Sequence, residues 1–126
     1  MRTKWHFTKT EWADGTLRLL SEEDVEVTHL QPVNQVITDS DEFAFVYLAE
    51  AEPGYVYLYL HESTWPDVKR AIEESKMLEV AGTDGTFTLV SFHEEMEELI
   101  ANIEGNSNYG EEMVEKVERV FFAEQR

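Results

Sequence analysis

Four histidines, His6, His29, His61 and His93, are the residues best suited to proton or metal chemistry near neutral pH. Two of them precede a carboxylate, as His61-Glu62 and His93-Glu94. Such pairs can seed a metal site or an acid–base site. Neither continues to His-Glu-x-x-His, because Trp65 and Glu97 stand where the second imidazole would be. A site could still assemble in space from His61, Glu62 and His93, since strand ends and helix starts can converge. There is no cysteine, so thiolate ligands and disulfides are excluded. No Gly-x-Ser-x-Gly and no glycine-rich phosphate loop is present. With 21 glutamates, no single carboxylate pair can be singled out as a glycosidase-like site. No nucleophile is set up, no cofactor is called for, and the balance favours a protein that is not an enzyme.

Two further stretches carry polar or aromatic groups in a pattern. The first is 102–113, where Asn106, Ser107, Asn108 and Tyr109 lie between Gly105 and Gly110. Capping accounts for most of it: Gly105 stops one helix and Asn108-x-x-Glu111 starts the next. A ligand loop at 104–110 and an EF-hand-like loop are the competing readings. The EF-hand spacing puts Tyr109 where the sharp turn needs glycine. The second stretch is Tyr55, Tyr57 and Tyr59, one face of a strand, with Tyr47 on the neighbouring strand. Packing under helices explains them, and a partner surface is the alternative.

The elements that must position these groups follow from periodicity. Residues 4–12 alternate, with Trp5 and Phe7 on one face and Lys4, His6 and Thr8 on the other. Asp14-Gly15 predicts a type I′ hairpin to 16–20, and Asp84-Gly85 a second between 77–81 and 86–90. Strands are also expected over 25–30, 35–38, 43–49 and 55–60. The runs 43–49 and 55–60 are apolar on both faces, which suits the middle of a sheet covered on both sides or an oligomer interface. A Pro-Gly turn at Pro53-Gly54 joins them. Thr64 caps a helix carrying Trp65, Val68 and Ile72, and Ser91-x-x-Glu94 caps a second helix running to about Ile103. A third runs from near Asn108 to about Glu124, with Met113, Val117, Val120 and Phe121 inward. The fold class expected is α+β: a largely antiparallel β-sheet of about eight strands, one inserted helix, and a C-terminal helical hairpin packed on it, all one domain over 1–126.

Of 126 residues, 42% are hydrophobic and 12% aromatic, which argues for a folded chain and against a disordered acidic one. The formal charge is −17, a surface that repels phosphate backbones and anionic lipid. Direct nucleic-acid or membrane binding is therefore not expected. No apolar run approaches the ~20 residues of a membrane helix. The N-terminus from Met1 to His6 has no apolar h-region, so no signal peptide is expected.

The run Phe43-Ala44-Phe45-Val46-Tyr47-Leu48, the start Trp65-Pro66-Asp67-Val68-Lys69, and above all His93-Glu94-Glu95-Met96 with Asn102 to Glu112 resemble a small acidic family of bacilli, the one numbered 0738 among the uncharacterised protein families. The similarity covers most of 33–122. The resemblance implies a bacterial cytosolic protein and brings no activity, cofactor or site residue with it. The expectation is a cytoplasmic, non-enzymatic module that binds a protein partner or itself. The alternative is a metal- or small-ligand-binding protein, which could extend to an enzyme, using the histidines and glutamates or the Asn-rich loop.

Overall fold

The computed structural model describes residues 3–52 and 54–122. The expectations that involve Met1 and Arg2, Pro53, and a helix end at Glu124 lie outside the described residues. The elements in chain order are β1 (Thr3–Ala13), β2 (Thr16–Ser21), β3 (Gln31–Asp39), β4 (Ala44–Ala51), β5 (Gly54–His61), a 3-10 turn (Glu62–Thr64), α1 (Trp65–Glu73), β6 (Leu78–Gly82), β7 (Gly85–Thr88), α2 (Phe92–Ile103), a second 3-10 turn (Ser107–Tyr109) and α3 (Glu111–Phe121). The class is α+β, as expected, but among the described residues the sheet has seven strands and is mixed. Its order is β3-β4-β5-β1-β2-β6-β7. The β1–β2 hairpin is inserted between β5 and β6, and it meets each of them in parallel. Neighbours in sequence gave the antiparallel expectation, and this insertion is a long-range event that sequence adjacency does not carry.

The missing eighth strand is 25–30. Val25 and Val27 are buried, so the apolar alternation is real, and Leu30 is buried with them out of that period. The ladder is not real. The Asp84 carboxylate accepts from the Val27 N–H at 2.8 Å and the Thr28 N–H at 3.3 Å, and the Thr28 hydroxyl donates to it at 2.6 Å. The Thr83 N–H donates to the Val25 carbonyl at 2.8 Å. A hairpin tip has taken over the job of a neighbouring strand. Asp84-Gly85 is accordingly not a type I′ pair. Gly82 pairs with Gly85, which leaves Thr83-Asp84 as the tip. Asp14-Gly15 is one, with φ of 53° and 82°.

β1 contains a bulge. Phe7 pairs with Ser21 and Lys9 with Leu20, so Thr8 is the extra residue. Before it Trp5 and Phe7 face the helices; after it Thr10 and Trp12, opposite Leu19 and Leu17, do so. The Ser63 hydroxyl donates to the Thr8 carbonyl at 2.6 Å, and the buried Thr8 hydroxyl oxygen has no partner. At the sheet edge, β3 slips register between Pro32 and Val36, with Asn34 at φ 63°.

The main core lies between one sheet face and the three helices. Trp65, Val68 and Ala71 of α1, Phe92, Met96, Ile100 and Ile103 of α2, and Met113, Val114 and Val117 of α3 meet Phe7, Leu17, Leu19, Phe45, Tyr47, Leu58 and Leu60 there. Three expected caps are not formed. Thr64 donates its hydroxyl back to the His61 carbonyl at 2.7 Å, one turn early. Ser91 sits at φ 64° with no cap bond. At α3 the N-cap is Gly110, and the Asn side chain in use is Asn106, which accepts from the Asn108 N–H at 3.1 Å. Gly105, at φ 66°, does end α2.

Two outcomes test this account of 25–30. A methyl group at Gly82 would run into the Val25 carbonyl oxygen and both Val27 methyls, at 3.1 Å. Gly82→Ala should lower the unfolding free energy by about 1–3 kcal/mol in urea titrations. A neutral variant at this position would show that 25–30 is loosely held. Asp84 has its pKa lowered, chiefly by the Thr28 hydroxyl and the Val27 N–H. A carboxylate with a lowered folded pKa stabilises above its unfolded value and loses that contribution as pH falls through the folded one. The stability gap between wild type and Asp84→Asn should thus be constant above about pH 5 and shrink below about pH 4. A gap undiminished at low pH would refute the latch.

Candidate functional site

The second sheet face carries its own small core, and among the described residues no helical one belongs to it. Ala44, Val46 and Tyr59 are buried there, with Leu48 and Tyr57 half-buried beside them. Strand register sets the layout. Ile37 lies opposite Val46, Val46 opposite Tyr59, and Tyr59 opposite His6. The next row is Asp39, Ala44, His61, and the row on the other side is Leu48, Tyr57, Lys4. The tyrosine stripe is therefore not packed under the helices. Tyr59 is 4% exposed and Tyr55 is 51% exposed, with Ile37 at 37% on the edge strand. Tyr47 points the other way, into the main core, where its hydroxyl donates to the Val90 carbonyl at 2.6 Å and burial pushes its pKa up to about 12.

One corner of this face gathers titratable groups. His6 Nδ1 and His61 Nε2 are 2.7 Å apart, the distance of an imidazole–imidazole hydrogen bond. Glu42, on the turn between β3 and β4, brings a carboxylate oxygen so that all three donor atoms lie within 4.8 Å of one another. The Tyr59 ring flanks both imidazoles, at 5.1 Å from His6 and 6.0 Å from His61. Its hydroxyl donates to Asp39 Oδ2 at 2.8 Å. Asp39 Oδ1 accepts from the Asp41 and Glu42 N–H groups at 3.1 and 3.2 Å, which shapes the turn that presents Glu42. Lys4 lies over the Tyr59 ring at 5.4 Å.

Electrostatics follow from these contacts. Burial first, then the neighbouring His6, lower the His61 pKa, while Glu42 and Asp39 work the other way. Burial raises Asp39, but the Tyr59 hydroxyl, the two turn N–H groups and the Lys4 charge outweigh it and leave its pKa lowered. His61 thus favours the neutral, lone-pair-bearing imidazole, and Asp39 the carboxylate.

The other residues singled out in the sequence are dispersed. Glu62 pairs with Lys116 of α3 at 3.2 Å. His93 Nε2 faces the Ala71 carbonyl at 3.4 Å, on the helical side. His61, Glu62 and His93 are not brought together; the partners of His61 are His6 and Glu42. At the joint between α2 and α3, the Asn106 amide donates to the Asn102 carbonyl at 3.2 Å, and the Ser40 hydroxyl donates to the Tyr109 carbonyl at 2.6 Å. Tyr109 is half-buried against the main core, while Ser107 and Asn108 are exposed. The Asn106 side chain is spent on the geometry of this loop, and the Tyr109 carbonyl on the 39–43 turn. His6 carried one signal in the sequence: it shares the polar face of β1 with Lys4, just as His61 continues the parity of the tyrosines. That those two faces are neighbours depends on the parallel β1–β5 pairing.

A model of a family of unknown function, UPF0738, matches residues 5–121. The match takes in β1 and β2, beyond the 33–122 of the resemblance above. The chain is 37% identical over 121 residues to the UPF0738 protein YjbL of Bacillus subtilis, covering 96% of this chain and 99% of that one. It is 41% identical over 98 residues to a UPF0738 protein of Bacillus cytotoxicus, covering 78% and 80%. A UPF0738 protein of Geobacillus kaustophilus is 32% identical over 123 residues, covering 97% and 98%. No solved structure matches the chain.

The bond from Tyr59 to Asp39 ties the floor of this face to its turn. Tyr59→Phe should lower unfolding stability by about 1–2 kcal/mol, the range for a hydrogen bond to a charged group discounted for the exposure of Asp39. Equal urea midpoints for wild type and variant would show that the turn is held by its backbone alone.

Proposed function

The chain belongs to UPF0738, a family of unknown function, and from the second face of its sheet we propose a non-enzymatic module of the cytoplasm that binds a protein partner or itself. The observation that carries this is the exposure of Tyr55 and Ile37 beside half-buried Leu48 and Tyr57, on a face whose hydrophobic cluster, among the described residues, includes none from a helix. Aromatic and aliphatic side chains around a drier centre are the make-up of a protein-binding patch. Phenol rings add contact area with little rotamer entropy to lose.

Charge selects among partners. At −17 a second copy meets like-charge repulsion, and a protein with basic residues around an apolar centre meets attraction. The acidic residues Asp39, Asp41, Glu42 and Glu50 at or beside this face favour the same class. Acidity also disfavours nucleic acid and anionic lipid as direct ligands. Among the described residues no helix is long and apolar enough to cross a membrane.

The test combines light-scattering chromatography over a range of protein and salt concentrations with a pulldown from bacterial lysate. Complex formation should weaken as salt rises, and should fall at least about tenfold with Tyr55→Ala and Ile37→Ser. Exposed Val90→Ser, on the chain leaving β7, should leave it unchanged. A salt-indifferent monomer with no partner lost in the face variants would overturn the reading.

A further inference from the structure

We propose that His6, His61 and Glu42 form a binding site for a divalent first-row transition-metal ion of the zinc class. The three ligands come from three separate places, β1, β5 and the 39–43 turn, and their donor atoms converge within 4.8 Å. Two ring nitrogens lie 2.7 Å apart with a carboxylate oxygen beside them. A hydrogen bond between imidazoles uses one proton and one lone pair. A cation uses both lone pairs and the carboxylate charge together, so it satisfies all three groups where the hydrogen bond satisfies two.

The supports of the site are built into the fold. Tyr59 packs against both rings, and the rings themselves lie 4.9 Å apart at 30°. Asp39 fixes Tyr59 through one carboxylate oxygen and the Glu42 backbone through the other. Groups that orient ligands without touching the metal are a regular part of metal sites. Two nitrogens ~2.05 Å from a tetrahedral ion stand ~3.3 Å apart, so the rings must part by about 0.6 Å and the Glu42 carboxylate must close in from within 4.8 Å.

Ligand chemistry names the class. Two imidazoles and one carboxylate suit zinc, cobalt, nickel or copper, and not the all-oxygen shells of calcium and magnesium. Three protein ligands leave at least one position for water or an outside ligand. The site lies at one corner of the face proposed for a protein partner, but it does not depend on that partner.

Untagged full-length protein would be titrated with Zn²⁺ and Co²⁺ by calorimetry and thermal shift, with Mg²⁺ and Ca²⁺ as comparisons. One zinc or cobalt ion per chain should bind and raise the melting temperature. Affinity should fall at least about tenfold in His6→Ala and in His61→Ala, fall less in Glu42→Gln, and stay unchanged in His93→Ala. No binding, or several weak ions indifferent to these variants as on any acidic surface, would overturn the proposal. If His61→Ala fails to fold by circular dichroism, imidazole nitrogen NMR of the wild type decides. On Zn²⁺ addition His6 and His61 should shift while His29 and His93 do not; any other pattern overturns it. Loss of the protein-binding reading would leave all of these outcomes standing.

Discussion

The parallel seam between β1 and β5 is the constraint on which the rest of the sheet depends. It joins β3-β4-β5 on one side to β2-β6-β7 on the other. Its residues are far apart in sequence, 55 positions in the case of His6 and His61. The loop-closure entropy of such a pairing comes before any of its contacts can reward it. The chain then passes over the inserted hairpin through α1, whose Asp67 accepts a hydrogen bond of 2.6 Å from Thr10 of β1. That bond falls just after the Thr8 bulge, where the strand has turned its other set of residues toward the helices.

β4 and β5 are apolar on both faces, and the two faces are used differently. On the helical side Phe45, Trp65 and Phe121 form a ring cluster with centroids 5.0 to 5.9 Å apart, which locks β4 to α1 and α3. The Trp65 indole N–H donates to the Leu60 carbonyl at 3.1 Å, so even this buried ring leaves no polar atom unmatched. On the other side the hydrophobic cluster is thin and tyrosine-rich. A phenol can bury its ring and still reach polar company, and Tyr47 and Tyr59 show both solutions, one bonded to a backbone carbonyl and one to a carboxylate. The face thus keeps an apolar floor with titratable groups at its corner, a combination that a purely aliphatic strand could not give.

What was legible in the sequence was local. The Asp14-Gly15 turn, the alternation of β1 up to Phe7, the two-faced strands and the inward stripe of α3 are short-range consequences of residue type. Errors came where one side chain had two possible employments. Val25 and Val27 alternate because they are buried and not because they pair; the Val27 and Thr28 N–H groups are met by Asp84 instead. Thr64, Ser91 and Asn108 have the chemistry of caps, but Thr64 serves the turn before, Ser91 sits at positive φ, and the Asn106 side chain already holds the Asn108 N–H. The His6–His61 pair was half legible. Parity places each histidine on the right face of its own strand, and nothing local reveals that the strands adjoin.

The slip in β3 has a consequence for how copies of this protein behave in a crowded cell. An exposed strand edge is a template on which further strands can add without end. Here Pro32 offers no N–H, Asn34 at φ 63° turns the chain out of the ladder, and the opposite edge, β7, is only four residues long. Both rims are poor templates for a further strand, which disfavours growth into filaments along the ladder.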